Sequence, residues 1–125
     1  MAQNIILTTG IYDLIKDHIR RKKVTPAEEE ILKLELKNAK QVTRVNLPED
    51  VVSINSRVTI KDLDTNQEEV YVFVAPDKAK LRNNTKSILT EMGLALVGYQ
   101  EGDLINWPFK NEPKQIEILK VERLA

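Results

Sequence analysis

Apolar residues in the first forty or so positions recur with the period of an α-helix. Ile11, Leu14, Ile15 and Ile19 share one face, with Leu7 and His18 at its edges, and Asp13, Lys16, Asp17 and Arg20 lie opposite. Thr8 or Thr9 is placed to cap the start, and Asp17 stands one turn before Arg21, within reach of an ion pair. A helix from there to about Lys23 would span about 22 Å. The next helix start is the clearest local signal in the chain. Thr25 suits the N-cap, Pro26 the first helical position, and Glu28 completes a T-x-x-E capping box. The pattern continues to about Val42, with Ala27, Ile31, Leu32, Leu36, Ala39 and Val42 on a face that Glu35 and Asn38 interrupt. Two amphipathic helices joined tightly at Val24 predict an antiparallel hairpin, a short coiled coil, over residues 1–46.

Beyond Pro48 the period falls to two. Val52, Ile54, Val58 and Ile60 alternate with polar residues, which predicts a half-buried strand to Lys61. Asp64-Thr65-Asn66 supplies a turn, and Val70 to Val74 returns as a second strand, apolar on both faces and so expected to be covered on both. Pro76 ends it, since proline has no amide hydrogen for a ladder. Lys86 to Leu89 predicts a short strand, and Glu91 to Val97 one or two helical turns closed by Gly98. Gly102-Asp103 is a turn before a strand from Leu104 to Phe109, where Pro108 calls for an edge or a strand end. Asn111-Glu112-Pro113 turns the chain into a last strand, Gln115 to Leu124, whose alternation slips between Ile118 and Leu119 as a β-bulge would make it. The fold class is therefore α+β: a helical hairpin over 1–46, then an antiparallel β-sheet domain with one short helix over 47–125.

Composition narrows the functional classes. A hydrophobic fraction of 42% supports a real core. Nineteen basic residues balance nineteen acidic ones, so the overall excess that drives nonspecific nucleic-acid binding is missing, and direct sequence-specific nucleic-acid recognition is not expected. A local patch stays open. Without cysteine there are no disulfides or thiolate metal sites, and the single histidine, His18, leaves almost no material for triad chemistry. No cofactor or metal is expected. The run Ile5-Ile6-Leu7 is far too short for a signal peptide core or a membrane span, so a cytoplasmic protein without membrane attachment, and a monomer, is the expectation. No Walker motif, nucleophile elbow or glycine-rich phosphate loop occurs.

Two clusters invite a functional reading. Arg20, Arg21, Lys22 and Lys23 at the hairpin tip would suit phosphate or an acidic partner surface. Equally, cations suit the end of one helix and anions the start of the next, because each complements the helix dipole. Glu28, Glu29 and Glu30 diverge by about 100° per residue on a helix, so at most one or two of them reach a shared divalent ion, and Glu28 is the capping-box partner of Thr25. Trp107 and Phe109, with Tyr71 and Phe73, either line an apolar pocket or pack the core, the latter being the usual fate of aromatics alternating on strands.

The stretch Asp50 to Val58 (DVVSINSRV) resembles the opening of the C-terminal domain in Rnk-type proteins of the GreA/GreB transcription elongation factor family. The resemblance continues in order through Asp64-Thr65-Asn66, Val72 to Pro76, Ser87-Ile88-Leu89, Gly93 to Gly98, Gly102 to Trp107 and Ile118 to Glu122. It covers residues from Leu47 to Leu124 and is closest to the Rnk type, regulators of nucleoside diphosphate kinase. It implies an FKBP-like fold for the β-rich domain and docking on RNA polymerase at the secondary channel, the hairpin pointing towards it. Cleavage-stimulating Gre factors carry an acidic tip that positions Mg²⁺; the tip here reads Lys22-Lys23-Val24-Thr25-Pro26, which has no acid to carry over. The Asp-Ser-Pro-type triplet of the family's docking loop falls on Leu89, Thr90 and Glu91.

The resemblance thus implies a non-enzymatic polymerase-binding regulator that does not stimulate transcript cleavage. Leu89, Thr90, Glu91, Met92 and Leu94 form the expected docking loop, and Arg20, Arg21, Lys22, Lys23, Glu28 and Glu29 the hairpin tip. The alternatives are a protein-interaction regulator acting away from polymerase, of the nucleoside diphosphate kinase regulator kind, and an FKBP-like prolyl isomerase.

Overall fold

Among the described residues a threonine ahead of an apolar helical period starts each of three α-helices, and strands lie before, between and after them. The computed structural model describes residues 5–79, 85–109 and 113–124, and the chain divides into two compact units, Met1–Leu47 and Pro48–Ala125.

In the first unit, β1 (Ile6–Thr8) runs directly into α1 (Thr9–Arg20). Of the two candidate caps, Thr8 does the work: its hydroxyl accepts the Ile11 N–H at 3.3 Å. Ile11, Ile15 and Ile19 are buried, as the helical period requires. The helix stops at Arg20 rather than near Lys23. Lys22 takes a left-handed φ of 59°, its N–H donates to the Ile19 carbonyl at 2.9 Å, and the Lys23 N–H donates to the His18 carbonyl at 3.2 Å. That crossed pair is a Schellman closure, with lysine where glycine is usual. Helix α2 (Pro26–Asn38) opens as its sequence dictates. The Glu28 N–H donates to the Thr25 hydroxyl at 3.2 Å and the Thr25 N–H to the Glu28 carboxylate at 3.0 Å, both halves of the capping box.

The end of α2 differs from the sequence expectation. The helix stops at Asn38, whose side-chain amide donates to the Leu34 carbonyl at 3.2 Å, and Ala39 is already extended. Lys40–Val42 forms β2, parallel to β1, with Ile6 opposite Lys40 and Thr8 opposite Val42. Val42 is therefore a strand residue, and Leu7, 1% exposed, belongs to a buried strand instead of the edge of a helical face. A parallel pair needs a long crossover between its strands, and the two helices supply it. No described helix is long and apolar enough to cross a membrane.

In the second unit five described strands, β3 (Ser56–Asp62), β4 (Gln67–Val74), β5 (Thr85–Ser87), β6 (Leu104–Pro108) and β7 (Pro113–Arg123), form one sheet in the order β5-β4-β3-β7-β6. Strands β3 and β4 pair antiparallel, with Ser56 opposite Phe73 and Asp62 opposite Gln67. Asn66, at φ 61°, makes the expected turn between them. The last strand, β7, pairs antiparallel with β3; Thr59 faces Lys120 and Ile60 faces Ile118, so Leu119 is the extra residue of the bulge. Strand β6 lies at an edge, where Pro108 costs no ladder bond. The turn expected at Asn111-Glu112 lies outside the described residues.

Three expectations are corrected here. The sheet is mixed, because β5 runs parallel to β4, Val72 opposite Thr85, and ends before Ile88 and Leu89. Strand β3 begins at Ser56 and not at Val52, since Asn55 turns the chain at φ 63° and Val51 makes only an isolated bridge to Gln100. Strand β4 is covered on its second face only towards its end: Val74 is 9% exposed but Val70 is 56%. The short helix, α3 (Glu91–Leu96), ends as expected before Gly98, at φ 86°. Phe73 and Trp107 are core residues, packed with Val58, Ile60, Leu96 and Ile118 among the buried set.

Candidate partner-docking site

The turn joining β5 to α3 is built from backbone bonds anchored by two hydroxyls. The Ile88 N–H donates to the Val74 carbonyl at 2.9 Å, extending the strand pairing by one residue. Ser87 then organises the corner. Its side-chain oxygen accepts the Leu89 N–H at 3.0 Å, and its carbonyl accepts both the Thr90 N–H at 3.1 Å and the Thr90 hydroxyl at 2.8 Å. Thr90 in turn caps α3, accepting the Gly93 N–H at 3.3 Å. A side chain at position 93 would be impossible without movement, because a Cβ there would lie 2.3 Å from the Ile88 carbonyl oxygen and 2.7 Å from its carbon.

This frame leaves Leu89, Thr90, Glu91 and Met92 partly exposed on a fixed backbone. Leu94 does not join them. It is 3% exposed and packs in the core, because α3 turns its Gly93-Leu94-Ala95-Leu96 face inward. Ser87 and Gly93 were not singled out by sequence reasoning. The Thr90-x-x-Gly93 spacing before an apolar run carried a cap signal for α3, but the glycine's role depends on Ile88 passing over it.

Met92 also lines a small cleft of about 270 Å³ on the sheet, between Ile60 and Ile116 on one side and Tyr71 on the other. The Tyr71 hydroxyl donates to the Glu69 carboxylate at 2.5 Å and its ring stacks on Phe73 at 5.7 Å between centroids. Burial, reinforced by that carboxylate, raises the Tyr71 phenol above its ordinary value, so it stays protonated. Lys114 faces Asp62 across the cleft at 3.8 Å. Tyr71 is the one aromatic lining it; Trp107, at 2% exposure, is buried elsewhere in the unit.

The tip residues separate into two kinds. Arg20 and Arg21 both engage Asp17, Arg21 at 2.8 Å, and the Arg20 hydrogen bond holds the Asp17 carboxyl below its usual range, with Arg21 adding to the effect. Lys22 and Lys23 are exposed on the Schellman turn. Glu28, expected as a tip residue, is 3% exposed and held in the capping box, and Glu29 pairs with Lys33 at 3.2 Å. Lys22 and Lys23 are thus the exposed cations of the turn, with Glu30 the exposed acid at the start of α2. His18 is partly buried; burial, and then Lys23, lowers its pKa from the ordinary histidine value.

Comparison with known proteins places this arrangement. The family described as transcription elongation factor, GreA/GreB, C-terminal, matches residues 47–123. Transcription elongation factor GreA of Clostridium botulinum (strain Hall) is 37% identical over 98 residues, 77% of this chain and 61% of that protein. The chain thus corresponds to about 61% of the length of this relative. The regulator of nucleoside diphosphate kinase of Escherichia coli K12 is 33% identical over 92 residues, covering 73% of this chain and 68% of that one. Among solved structures, the GreA/GreB factor from Nitrosomonas europaea superposes with a TM-score of 0.67 at 24% identity, covering 97% of this chain and 99% of its own. Gfh1 of Thermus aquaticus superposes at 0.52 with 16% identity, covering 97% and 99%; these two likenesses speak for the fold. With the family match spanning well over half of its residues, the chain belongs to the GreA/GreB transcription elongation factor family.

Proposed function

We propose that this protein is an RNA polymerase-binding transcription regulator of the cytoplasm, acting as a monomer, that docks at the secondary channel without stimulating transcript cleavage. In this reading the second unit is the FKBP-like docking domain and the α1–α2 pair is a short antiparallel hairpin directed at the channel. The observation that carries it is the Ser87- and Thr90-anchored turn. It lies inside the family-matched segment and holds Leu89, Glu91 and Met92 partly exposed on a backbone that needs no ordering on binding. Positioning a divalent ion needs carboxylates free to converge on it, whereas Glu28 is taken by the capping box and Glu29 by Lys33, which leaves Glu30 as a single exposed acid beside the exposed Lys22 and Lys23.

Retention on immobilised core polymerase tests the reading. The wild-type chain is expected to be retained, and Met92→Asp to bind about tenfold more weakly with its thermal midpoint preserved, a loss of about 1.4 kcal/mol. No retention, with a cleavage-competent Gre factor retained on the same beads, overturns it. Stimulated cleavage in a stalled complex would overturn the second half.

A second reading is favoured by the Escherichia coli relative, named for regulation of nucleoside diphosphate kinase. There the same exposed turn would contact a different protein. Unbiased co-purification separates the two by which partner depends on Met92. Prolyl isomerisation gains nothing from the geometry, since the cleft beside Met92 has a single aromatic wall and a polar rim.

A further inference from the structure

The two helices of the first unit line one open groove of about 600 Å³. Ile19 and Leu36 contribute its apolar floor, Lys16 and Arg20 form one rim on α1, and Lys33 and Lys37 form the other on α2. Each rim pair is spaced four residues apart, one helical turn. Lys22 adds a fifth cation at the tip end, and Tyr12 stands under Lys16, whose Nζ lies 5.7 Å above the ring centroid. Glu29, the one carboxylate among the described lining residues, is engaged by Lys33, and Arg20 is paired with Asp17 of its own helix, which leaves Lys16, Lys22 and Lys37 as the lining cations with no ion pair among the described residues. A chain of zero formal net charge has therefore gathered five cations against one anion around a single groove.

An apolar floor between two helices, each carrying cations one turn apart, complements an amphipathic helix whose apolar stripe is edged by carboxylates. We propose that this groove takes an acidic amphipathic helix of a partner protein. Its leucine- or isoleucine-bearing face lies on Ile19 and Leu36, and carboxylates four residues apart face Lys16 and Arg20 on one side and Lys33 and Lys37 on the other. A second copy of this chain is a poor occupant, because the same groove would set cation against cation. A nucleic acid would neutralise the rims but leave the floor wet, so the helix uses both features where a phosphate backbone uses one. The inference does not depend on polymerase docking through the Met92 turn.

The test uses the full chain and a fluorescein-labelled synthetic peptide of about three heptads, with Leu at a and d and Glu at e and g, read by anisotropy. The glutamates keep the free peptide from pairing with itself. Binding is expected to weaken as salt rises, to fall at least tenfold in the Lys16→Glu/Lys37→Glu double variant, and to be absent for the peptide with Lys at e and g. The double variant is expected to gain affinity for that lysine peptide, a swap that unfolding does not produce. Equal binding of the two peptides, or an unchanged double variant, overturns the proposal. So does a single-stranded RNA oligomer that displaces the acidic peptide and loses more affinity than it does in the double variant, which assigns the groove to nucleic acid.

Discussion

Thr25 and Thr90 perform the same local task in two unlike settings. Each caps a helix by accepting an amide hydrogen three residues on, at 3.2 Å and 3.3 Å respectively. Around Thr25 the stabilising groups are neighbours in sequence: Pro26 is pre-set for the first turn, Glu28 returns the bond, and the Schellman closure at Lys22 shapes the approach. Around Thr90 the bonds are also local, but the corner they form is suspended from a distant strand through the Ile88 N–H to the Val74 carbonyl. Gly93 is buried under the Ile88 carbonyl, and the corner hangs from the pairing of β5 with β4. The tip is thus a locally written structure that fixes the placement of charge. The turn at Thr90 is positioned by its pairing with β4 and fixes the placement of a few partly exposed side chains.

The sharpest way to break this contrast is Gly93→Ala. A Cβ at 2.3 Å from a backbone oxygen has no flexible neighbour to displace, so the second unit is expected to lose about 3 kcal/mol, read as a lowered denaturant midpoint at unchanged slope. A loss under about 0.5 kcal/mol would mean the turn yields easily, and its rigidity could not support docking. Thr25→Ala probes the local side. Losing one cap bond while Pro26 remains is expected to cost about 1 kcal/mol, seen as faster amide exchange in the first turn of α2 with the second unit's exchange unchanged. The smallest effect has the opposite sign. Lys22→Gly relieves a left-handed residue, worth about 1–2 kcal/mol, against about 0.5–1 kcal/mol of extra chain entropy, and should slow exchange at the end of α1 by a few-fold. Faster exchange there would show that the Lys22 side chain, not its backbone, holds the tip.

Much of the fold could be read in advance, and the reasons are specific. The capping box at Thr25, the asparagine turn at Asn66, the edge proline at Pro108 and the slip in alternation that became the Leu119 bulge are all encoded within a few residues of where they act. The misreadings share the opposite property. Strands β1 and β2 are three residues each, too short to display a period, and they find one another across the length of two helices. The helical pattern ran on through Ala39 and Val42 because those residues suit a helix face, and only the pairing with Ile6 to Thr8 removes them from it. Of the expected site residues, Leu94 proved buried because α3 turns it into the core, and Glu28 because the capping box holds it.

The sequence by itself determined where helices start, where turns need a left-handed residue and which charges crowd the tip, since caps, φ constraints and charge order act over three or four residues. Only the tertiary structure decided that β5 runs parallel to β4, that the Ser87–Thr90 corner hangs from the Val74 carbonyl, and that Lys16, Arg20, Lys33 and Lys37 line one groove. Each of these depends on segments meeting that share no local signal, because the free energy that brings them together comes from burying apolar surface, which has no preferred direction along the chain.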